Sequence, residues 1–477
     1  MSSDQSSHRA VRGGWRWILL AGFAIVLSAH RSATALDDHR LADAVMRKDR
    51  GAALTLLKQR VNVNAPQADG STALAWAAHW NDLATAEQLL RAGANADTAN
   101  DYGITPLQLA CVNGSLPMVQ KLVAAKANPN ALAQTGETAF LNCVRSGNVD
   151  AVRLLLEARA DVNLPEKWRG QTPLMWAVAE KHAAVAKALI DRGADVNAKS
   201  KGGFTALQFA AQQGDIESAK LLLAAGANVN DADPEDGMTA LLTAIGSGQA
   251  ALAALLVENG ADANTANKQG VSALHFASTR RNMNELTKTL LAKGASPNVR
   301  QKRDPVGATP FYLAAGAGNV AAMRALIAGG ADAKISTNDN TTAVMVAAGV
   351  GRYESRSEEF DKNALEAIQY ALEQGVDINA RGENDWTALH GAAYTGADNI
   401  AEYLISKGAQ REAFDKYGQT PLSIASAVVT EGLADFADVR PRRWRETTVN
   451  LLVKLGAVPV EKSGVKITGS LAVRPVE

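Results

Sequence analysis

Residues 170–197 read GQTPLMWAVAEKHAAVAKALIDRGADVN, and this stretch decides the fold. The Thr172 hydroxyl can accept a hydrogen bond from an orphan N–H of a first helical turn, and Pro173 at the first helical position has no N–H to leave unpaired. A short apolar helix is therefore predicted to begin here, with a second helix packing back on it. Gly193 ends the second helix, because glycine takes the left-handed conformation without a Cβ clash.

The same unit recurs along most of the chain. Its anchor hydroxyl is the Ser or Thr of the motif G-x-[TS]-[PA]-[LF], with two degraded copies at Thr342 and Thr387. The anchors are Thr72, Thr105, Thr138, Thr172, Thr205, Thr239, Ser272, Thr309, Thr342, Thr387 and Thr420. Their spacings are 33, 33, 34, 33, 34, 33, 37, 33, 45 and 33 residues. A period of 33 broken only by insertions predicts an array of one small helical unit.

The second half of each unit is an amphipathic run such as Ile216–Leu223, with apolar residues at helical spacing. Most of these runs end at a Gly-Ala pair. Arg60, Lys126 and Arg159 stand where that glycine is expected. If these three sites remain left-handed, each costs up to about 1 kcal/mol of stability.

The segments T-P-L-x-x-A-A, x-x-G and L-L-x-x-G-A-D-V-N resemble the ankyrin repeat, over residues 38 to about 458. The resemblance implies an all-α ankyrin-repeat solenoid of about twelve stacked helix-turn-helix units, with short β-hairpin tips on one side. Repeats from 68 to 458 follow an N-terminal cap unit at 38–67 that lacks the Thr-Pro start. Such a stack needs no second compact domain. Residues 459–477 are predicted to be a flexible C-terminal tail.

The N-terminus has the features of an export signal. A basic stretch precedes the twelve-residue apolar run Ile18–Ala29, and Ala33-Thr34-Ala35 offers a small-x-small cleavage site. We therefore expect a signal peptide at 1–35, cleaved after Ala35. An uncleaved membrane anchor is the alternative, but the run is shorter than the roughly 20 residues that span a bilayer. The signal and the repeats together predict an exported bacterial ankyrin-repeat protein, periplasmic or secreted, without a membrane span.

Charge does not favour a nucleic-acid partner. The chain has 49 Lys and Arg against 49 Asp and Glu. Residues 1–35 hold four Arg and one Asp, so the mature chain has 45 basic against 48 acidic residues, a net charge of −3. No basic stripe dominates the sequence, so we expect no nucleic acid among its partners.

The sequence lacks the common motifs of catalysis and cofactor binding. There is no G-x-S-x-G, no G-K-[ST] after a glycine-rich loop and no C-x-x-C. His275 and His390 lie three residues after an anchor hydroxyl, which in the resembling family is a structural hydrogen-bonding position. We expect no enzyme, no cofactor and no metal site.

Cys111 and Cys143 occupy small-residue core positions in neighbouring repeats. Because repeats stack roughly 10 Å apart and a disulfide needs Cα atoms within about 7 Å, we expect two buried thiols rather than a bridge. Export to an oxidising compartment leaves the bridge open as the alternative.

The resemblance also indicates which surface to inspect. In the family, the concave groove is lined by residues four, three and one before the anchor and seven and eight after it. The aromatic residues and arginines at those positions are Trp80, Tyr102, Arg145, Trp168, Arg169, Phe204, Arg280, Trp386, Tyr394 and Tyr417. These residue types dominate binding hot spots, so they favour a protein or peptide ligand. The alternative for any single aromatic is packing on the next hairpin.

Two insertions, near 350–363 and 428–446, lengthen repeats close to the C-terminus. Both enter between helix one and helix two, so the loops should emerge on one side of the stack within roughly 20 Å. The second contains Arg442, Arg443 and Trp444. Loops on a rigid scaffold often carry function, which predicts a C-terminal binding site. Mutual pairing of the two loops, or tolerated surface variation, is the alternative.

Taken together, these features predict a monomeric, non-enzymatic, exported scaffold that binds another protein through its groove and insert loops. The alternatives are a protective or structural subunit of an envelope assembly, and an enzyme whose site is built on loops.

Overall fold

The repeats of the sequence fold into a stack of helix pairs. The computed structural model describes residues 38–305, 307–351, 357–427 and 445–459. Within these ranges, twenty-four α-helices form twelve pairs, which confirms the predicted ankyrin-type solenoid. The first helices are α1 (Arg40–Met46), α3 (Ala73–His79), α5 (Pro106–Val112), α7 (Ala139–Ser146), α9 (Pro173–Ala179), α11 (Ala206–Gln213), α13 (Ala240–Gly246), α15 (Ala273–Ser278), α17 (Pro310–Gly316), α19 (Ala343–Ala348), α21 (Ala388–Thr395) and α23 (Pro421–Ala425). The second helices are α2 (Arg50–Lys58), α4 (Leu83–Arg91), α6 (Leu116–Ala124), α8 (Val149–Glu157), α10 (Ala183–Asp191), α12 (Ile216–Ala224), α14 (Ala250–Glu258), α16 (Asn284–Ala292), α18 (Val320–Ala328), α20 (Glu358–Glu373), α22 (Asp398–Ser406) and α24 (Glu446–Lys454).

The anchor hydroxyls begin the first helices, as the motif predicts. The Thr72 hydroxyl accepts a hydrogen bond from the Ala75 N–H over 3.3 Å, and Thr105 forms a reciprocal capping box with Gln108. Many second helices begin with a short polar side chain instead. Asp82, for example, accepts from the Thr85 N–H over 3.2 Å. Each cap satisfies a helix N–H that has no partner within the helix, so both helices of a unit have defined starts.

One continuous apolar core runs through the stack. Leu74, Leu107 and Leu174 recur at one position of the first helices and are essentially inaccessible to solvent. Alanine fills most neighbouring positions, which allows the helices of consecutive repeats to approach closely. Each helix pair contacts mainly the pairs before and after it, so the fold is held together by nearest-neighbour interfaces.

An asparagine between repeats links most units to the next. The Asn130 amide donates to the Arg159 carbonyl over 3.0 Å, and its side-chain oxygen accepts from the Asp161 N–H over 2.9 Å. The same pair of bonds is made by Asn64, Asn163, Asn197, Asn230, Asn264, Asn298 and Asn379. The D-x-N segment is therefore both the turn into the next repeat and a clamp between repeats.

The two cysteines form a disulfide, so the expectation of unbridged thiols is wrong. Cys111 in α5 and Cys143 in α7 are both fully buried, and their Cα atoms lie 4.4 Å apart. The error came from using a separation between helix axes as a separation between Cα atoms. Because Cα atoms lie about 2.3 Å from the axis, facing Cα atoms of helices about 8–10 Å apart are only about 3–5 Å from each other.

The structure also tests three further predictions. Arg60, Lys126 and Arg159 do adopt left-handed φ angles of 58°, 63° and 66°, as expected for residues in the place of glycine. The first insert is partly helical, because α20 has 16 residues and begins at Glu358, inside the segment predicted to be a loop. The hairpin tips contain isolated bridges, at Leu132–Thr138, Ala232–Thr239 and Ala266–Ser272.

Several predicted segments lie outside the described residues. They are the signal peptide at 1–35, residues 352–356 of the first insert, most of the second insert including Arg442, Arg443 and Trp444, and the tail from 460. Among the helices of the described ranges, none is both long and apolar enough to cross a membrane.

Candidate partner-binding surface

Hydrogen bonds link the hairpin tips of consecutive repeats at several junctions, and we call this set of tips the hairpin row. A backbone N–H of one tip donates to a carbonyl oxygen of the tip before it over 2.7–2.9 Å. These N–H···O pairs are Asp101 to Asp69, Gln134 to Tyr102, Lys201 to Arg169, Lys268 to Asp236, Lys302 to Gln269 and Lys416 to Asn384. These bonds join the tips in four groups, one of which consists of the 166–171 and 200–204 tips, so tips within a group are not independent loops.

Buried acceptors fix the shape of individual tips. In the 166–171 tip, the Glu166 carboxylate accepts from the N–H groups of Trp168 and Arg169, both over 2.6 Å, and from Gln171 over 3.1 Å. Asp233 holds the 233–238 tip in the same way. A loop with three backbone groups bound to one buried carboxylate loses little conformational entropy when it binds a ligand.

Three predicted site residues project from this row into solvent. The exposed fraction is 67% for Trp168, 47% for Tyr102 and 39% for Phe204. Trp168 is the most exposed of the large hydrophobic side chains in the part of the chain that the structure describes. An exposed tryptophan on a rigid loop provides a large contact area at low entropic cost.

Exposed cations lie on the same two tips as Trp168 and Phe204. Lys167, Arg169 and Lys201 are exposed on the 166–171 and 200–204 tips, and Lys167 Nζ lies 5.7 Å from the Trp168 ring centroid. Within the described residues, none of the three forms an ion pair with a carboxylate, whereas nearby Lys199 pairs with Asp231 over 3.4 Å. We call Lys167, Trp168, Arg169, Lys201 and Phe204 the aromatic–basic patch.

Three other predicted residues are held by polar contacts, Trp80 and Arg280 to the repeat before them and Arg145 within its own repeat. Trp80 Nε1 donates to the Met46 carbonyl over 3.2 Å, and Lys48 Nζ lies 3.9 Å from its ring centroid. Arg145 pairs with a Glu137 oxygen over 3.0 Å, and Arg280 donates to the Gly246 carbonyl over 2.7 Å. These side chains form fixed parts of the groove wall, and the faces they leave exposed are available to a ligand.

The predicted aromatics near the C-terminus are different. Trp386 is only 8% exposed, and its Nε1 donates to Asp415 Oδ2 of the next tip over 3.1 Å. Half-buried Tyr394 lies 5.7 Å from the Trp386 ring, and half-buried Tyr417 lies within the next tip. Packing on the next hairpin therefore describes Trp386 better than partner binding, because its ring faces the core.

His275 and His390 bridge consecutive repeats. His275 Nδ1 accepts from the Ser272 N–H over 3.0 Å, and its Nε2 lies 3.0 Å from the Ala308 carbonyl oxygen. His390 repeats this arrangement with Thr387 and Gln419. Burial lowers the pKa of both imidazoles to about 4, which keeps them neutral near pH 7. Both are structural, as expected.

A model of ankyrin repeats in three copies matches residues 41–133, 116–200, 140–233, 207–301, 274–356 and 359–436. The matches cover most of the chain. The chain belongs to the ankyrin-repeat family. In the described ranges of this ankyrin-repeat chain, no group of three or more His, Cys, Asp or Glu side chains could hold a metal ion.

Several ankyrin-repeat proteins are similar to it. Ankyrin repeat and SOCS box protein 16 of Mus musculus is 27% identical over 303 residues, which are 64% of this chain and 56% of that protein. Protein phosphatase 1 regulatory subunit 27 of Mus musculus is 44% identical over 57 residues, 12% of this chain and 37% of that protein. The crystal structure of the human ASB11 ankyrin repeat domain aligns with 46% of this chain and 96% of that one, at 27% identity and a TM-score of 0.40. The chain thus spans about half the length of the first of these relatives.

The groove positions counted from the anchor do not include Glu166 and Lys167, although the repeat length gave a signal for both. Two ankyrin repeats are 34 residues long, and the structure places the additional residue in the 166–171 and 233–238 tips. Each of these longer tips closes on a buried carboxylate, from Glu166 or Asp233. Lys201 lies four residues before its anchor and so falls under the rule directly.

Proposed function

We propose that this chain is a non-enzymatic, monomeric scaffold that binds a protein or peptide along its hairpin row and concave groove. The observation that carries the proposal is the 67% exposed Trp168 ring, held on a loop whose backbone is fixed by buried Glu166. A monomeric soluble protein gains nothing in stability from such a ring, whereas binding surfaces use rigid exposed aromatics as anchors.

The relatives support a binding role in general terms. One carries the name of a regulatory subunit of a phosphatase, so that protein acts in association with an enzyme. Transferred to this chain, the similarity supports recognition of another protein, and it leaves the identity of that protein to the surface residues.

We further infer that the mature protein is exported, in a bacterium to the periplasm or beyond. The support comes from two unconnected features: the signal peptide predicted at 1–35 and the buried Cys111–Cys143 disulfide. Disulfides persist in oxidising compartments and are rare in the cytosol. The contribution of the two C-terminal inserts to binding stays a prediction.

Affinity capture tests the binding role. The bait is the mature chain, residues 36–477, offered the extracellular and envelope fractions of its native cell. A second bait carries Trp168→Ala and Arg169→Ala, and a third carries Lys220→Ala and Lys293→Ala, which change exposed residues of outer surfaces. A protein held by the first and third baits and lost from the second supports the proposal. Equal retention on all three baits moves the site away from the hairpin row, and no retention on any bait contradicts the scaffold role.

Fractionation and thiol labelling test export. The full-length chain and a chain starting at residue 36 are expressed in a Gram-negative bacterium, and unfolded samples are treated with a maleimide. We expect the full-length chain outside the cytoplasm, shortened at its N-terminus and unlabelled, and the shorter chain inside and labelled on both cysteines. A full-length chain that stays cytoplasmic and uncut contradicts export.

A further inference from the structure

We infer that the aromatic–basic patch binds an acidic peptide segment that carries an aromatic side chain between its carboxylates. The inference rests on the proposed scaffold function and gives its ligand a chemistry. It follows from the way two adjacent tips combine rings, cations and backbone hydrogen bonds.

The two tips form one platform. The Lys201 N–H donates to the Arg169 carbonyl over 2.8 Å, and Lys201 Nζ donates to the Lys167 carbonyl over 2.6 Å. A Cβ added at Gly170 would lie 3.0 Å from Lys201 Cγ, so the tips are in direct contact. The backbone positions that carry the cations and Trp168 are therefore fixed relative to one another.

A buried side chain also accepts hydrogen bonds from the backbone of each tip. Glu166 binds three N–H groups of its tip, and the Ser200 hydroxyl oxygen accepts from the Phe204 N–H over 3.1 Å. Both acceptor residues are buried. The loss of conformational entropy when loops and side chains become ordered is one of the main costs of association. In this surface the backbone of both loops is already ordered in the folded protein.

The charges select the ligand. Lys167, Arg169 and Lys201 present three positive charges to solvent within two adjacent tips, and the tip that follows carries the exposed carboxylates of Glu235 and Asp236. An acidic segment is attracted to the first two tips and repelled by the third. Complementary charge at an exposed surface steers association and fixes register.

The spacing sets the length of the segment. The axes of packed helices lie about 8–10 Å apart, so exposed cations on neighbouring repeats have a separation of this order, and an extended peptide advances about 3.3 Å per residue. Carboxylates about three residues apart can therefore reach the 166–171 and 200–204 tips together. A side chain between them lies beside Trp168 and Phe204, where an aromatic ring adds stacking to the burial of apolar surface.

A synthetic peptide of defined charge tests this inference. The probe is a fluorescein-labelled twelve-residue peptide in which Tyr follows every pair of Glu residues, titrated into the mature chain and followed by fluorescence anisotropy. We expect saturable binding that weakens with added salt, because exposed charges are screened. Replacing every Glu of the probe by Lys should abolish binding, and replacing every Tyr by Ser should weaken it at least three-fold.

Matched variants locate the site. Trp168→Ala, Arg169→Ala and Lys201→Ala combined should weaken binding at least ten-fold. Lys58→Ala and Lys220→Ala combined remove the same number of positive charges from exposed positions on α2 and α12, and should change it less than two-fold. Unchanged circular dichroism and melting temperature establish that the patch variant is folded. Equal losses in the two variants would mean general charge attraction and would overturn the inference.

The remaining outcomes separate the inference from the function on which it rests. If the peptide does not bind while affinity capture still yields a partner that depends on Trp168, the acidic chemistry is wrong and the scaffold function stands. If both experiments give nothing, both proposals fail.

Discussion

Cys111 of α5 and Cys143 of α7 join the first helices of two consecutive repeats through a disulfide, with their Cα atoms 4.4 Å apart. Both residues are fully buried in the middle of the core. Ala78 and Ala177 occupy the corresponding positions in other repeats, so a small side chain is all that packing requires there. The bridge is therefore a covalent addition to an interface that already closes without it.

We expect the paired substitution Cys111→Ala and Cys143→Ala to lower the stability of this region by about 3–4 kcal/mol, because the bridge closes a loop of 32 residues in the unfolded chain. Hydrogen exchange of the α5–α8 amides measures the effect locally, which suits a repeat array better than one global transition. Binding of the acidic peptide should stay within two-fold. Unchanged exchange in α5–α8 would mean that the bridge does not stabilise the repeats.

The pKa values of His275 and His390 make stability depend on pH. Burial lowers each pKa to about 4, from about 6.5 in the unfolded chain. Between these values the unfolded chain binds more protons than the folded one, so stability falls as pH drops from about 6.5 to about 4. Each histidine contributes up to about 3 kcal/mol to this loss and nothing to the pH dependence above pH 6.5.

The chain provides its own replacement for these histidines. Gln108 and Gln208 occupy the same position, where each side-chain oxygen accepts from the anchor N–H and each amide donates to the following hairpin. We expect His275→Gln with His390→Gln to keep the stability at pH 7.5 within about 1 kcal/mol and to reduce its loss between pH 6.5 and 4.5. Urea denaturation at several pH values measures this. An unchanged pH slope would show that the two imidazoles do not titrate as described.

The repeat architecture was predictable because it depends on contacts close in sequence. The Thr72 hydroxyl caps a helix by accepting from an N–H only three residues away. A glycine or its substitute ends a helix through its own left-handed φ angle alone. The local environment of Trp386 was not predictable, because its partner Asp415 lies 29 residues further along. The same applies to Cys111, whose bridge depends on how closely two helices approach.

Lys126, two residues after the end of α6, has a φ angle of 63°, a conformation that costs a residue with a Cβ about 1 kcal/mol. We expect Lys126→Gly to raise the stability by several tenths to about 1 kcal/mol. Lys220→Gly, inside exposed α12, should lower it by about 1 kcal/mol, because glycine is unfavourable within a helix. Chemical denaturation of the two variants compares one substitution in two backbone conformations. Destabilisation by both would show that the left-handed site carries no strain that glycine relieves.

Trp168 and Trp386 are both predicted from sequence to bind a partner, but we expect the first to contribute to binding and the second to stability. Trp168 is 67% exposed, so Trp168→Ala removes contact area for a ligand and leaves the core unchanged. Trp386 is buried and donates to Asp415 Oδ2, whose other oxygen accepts from the N–H groups of Tyr417 and Gln419. Trp386→Phe fills most of the volume but leaves that oxygen without the indole donor, at a cost of about 1–3 kcal/mol.

The same two variants thus give opposite results in two assays. Trp168→Ala should weaken acidic-peptide binding several-fold with a melting temperature within about 1 °C of the unchanged chain, because exposed positions contribute little to stability. Trp386→Phe should lower the melting temperature and leave peptide affinity within two-fold, because its site lies several repeats away from the aromatic–basic patch. If Trp386→Phe weakens binding as much as Trp168→Ala does, the ligand contacts the C-terminal repeats as well, and the aromatic–basic patch is only one part of a longer interface.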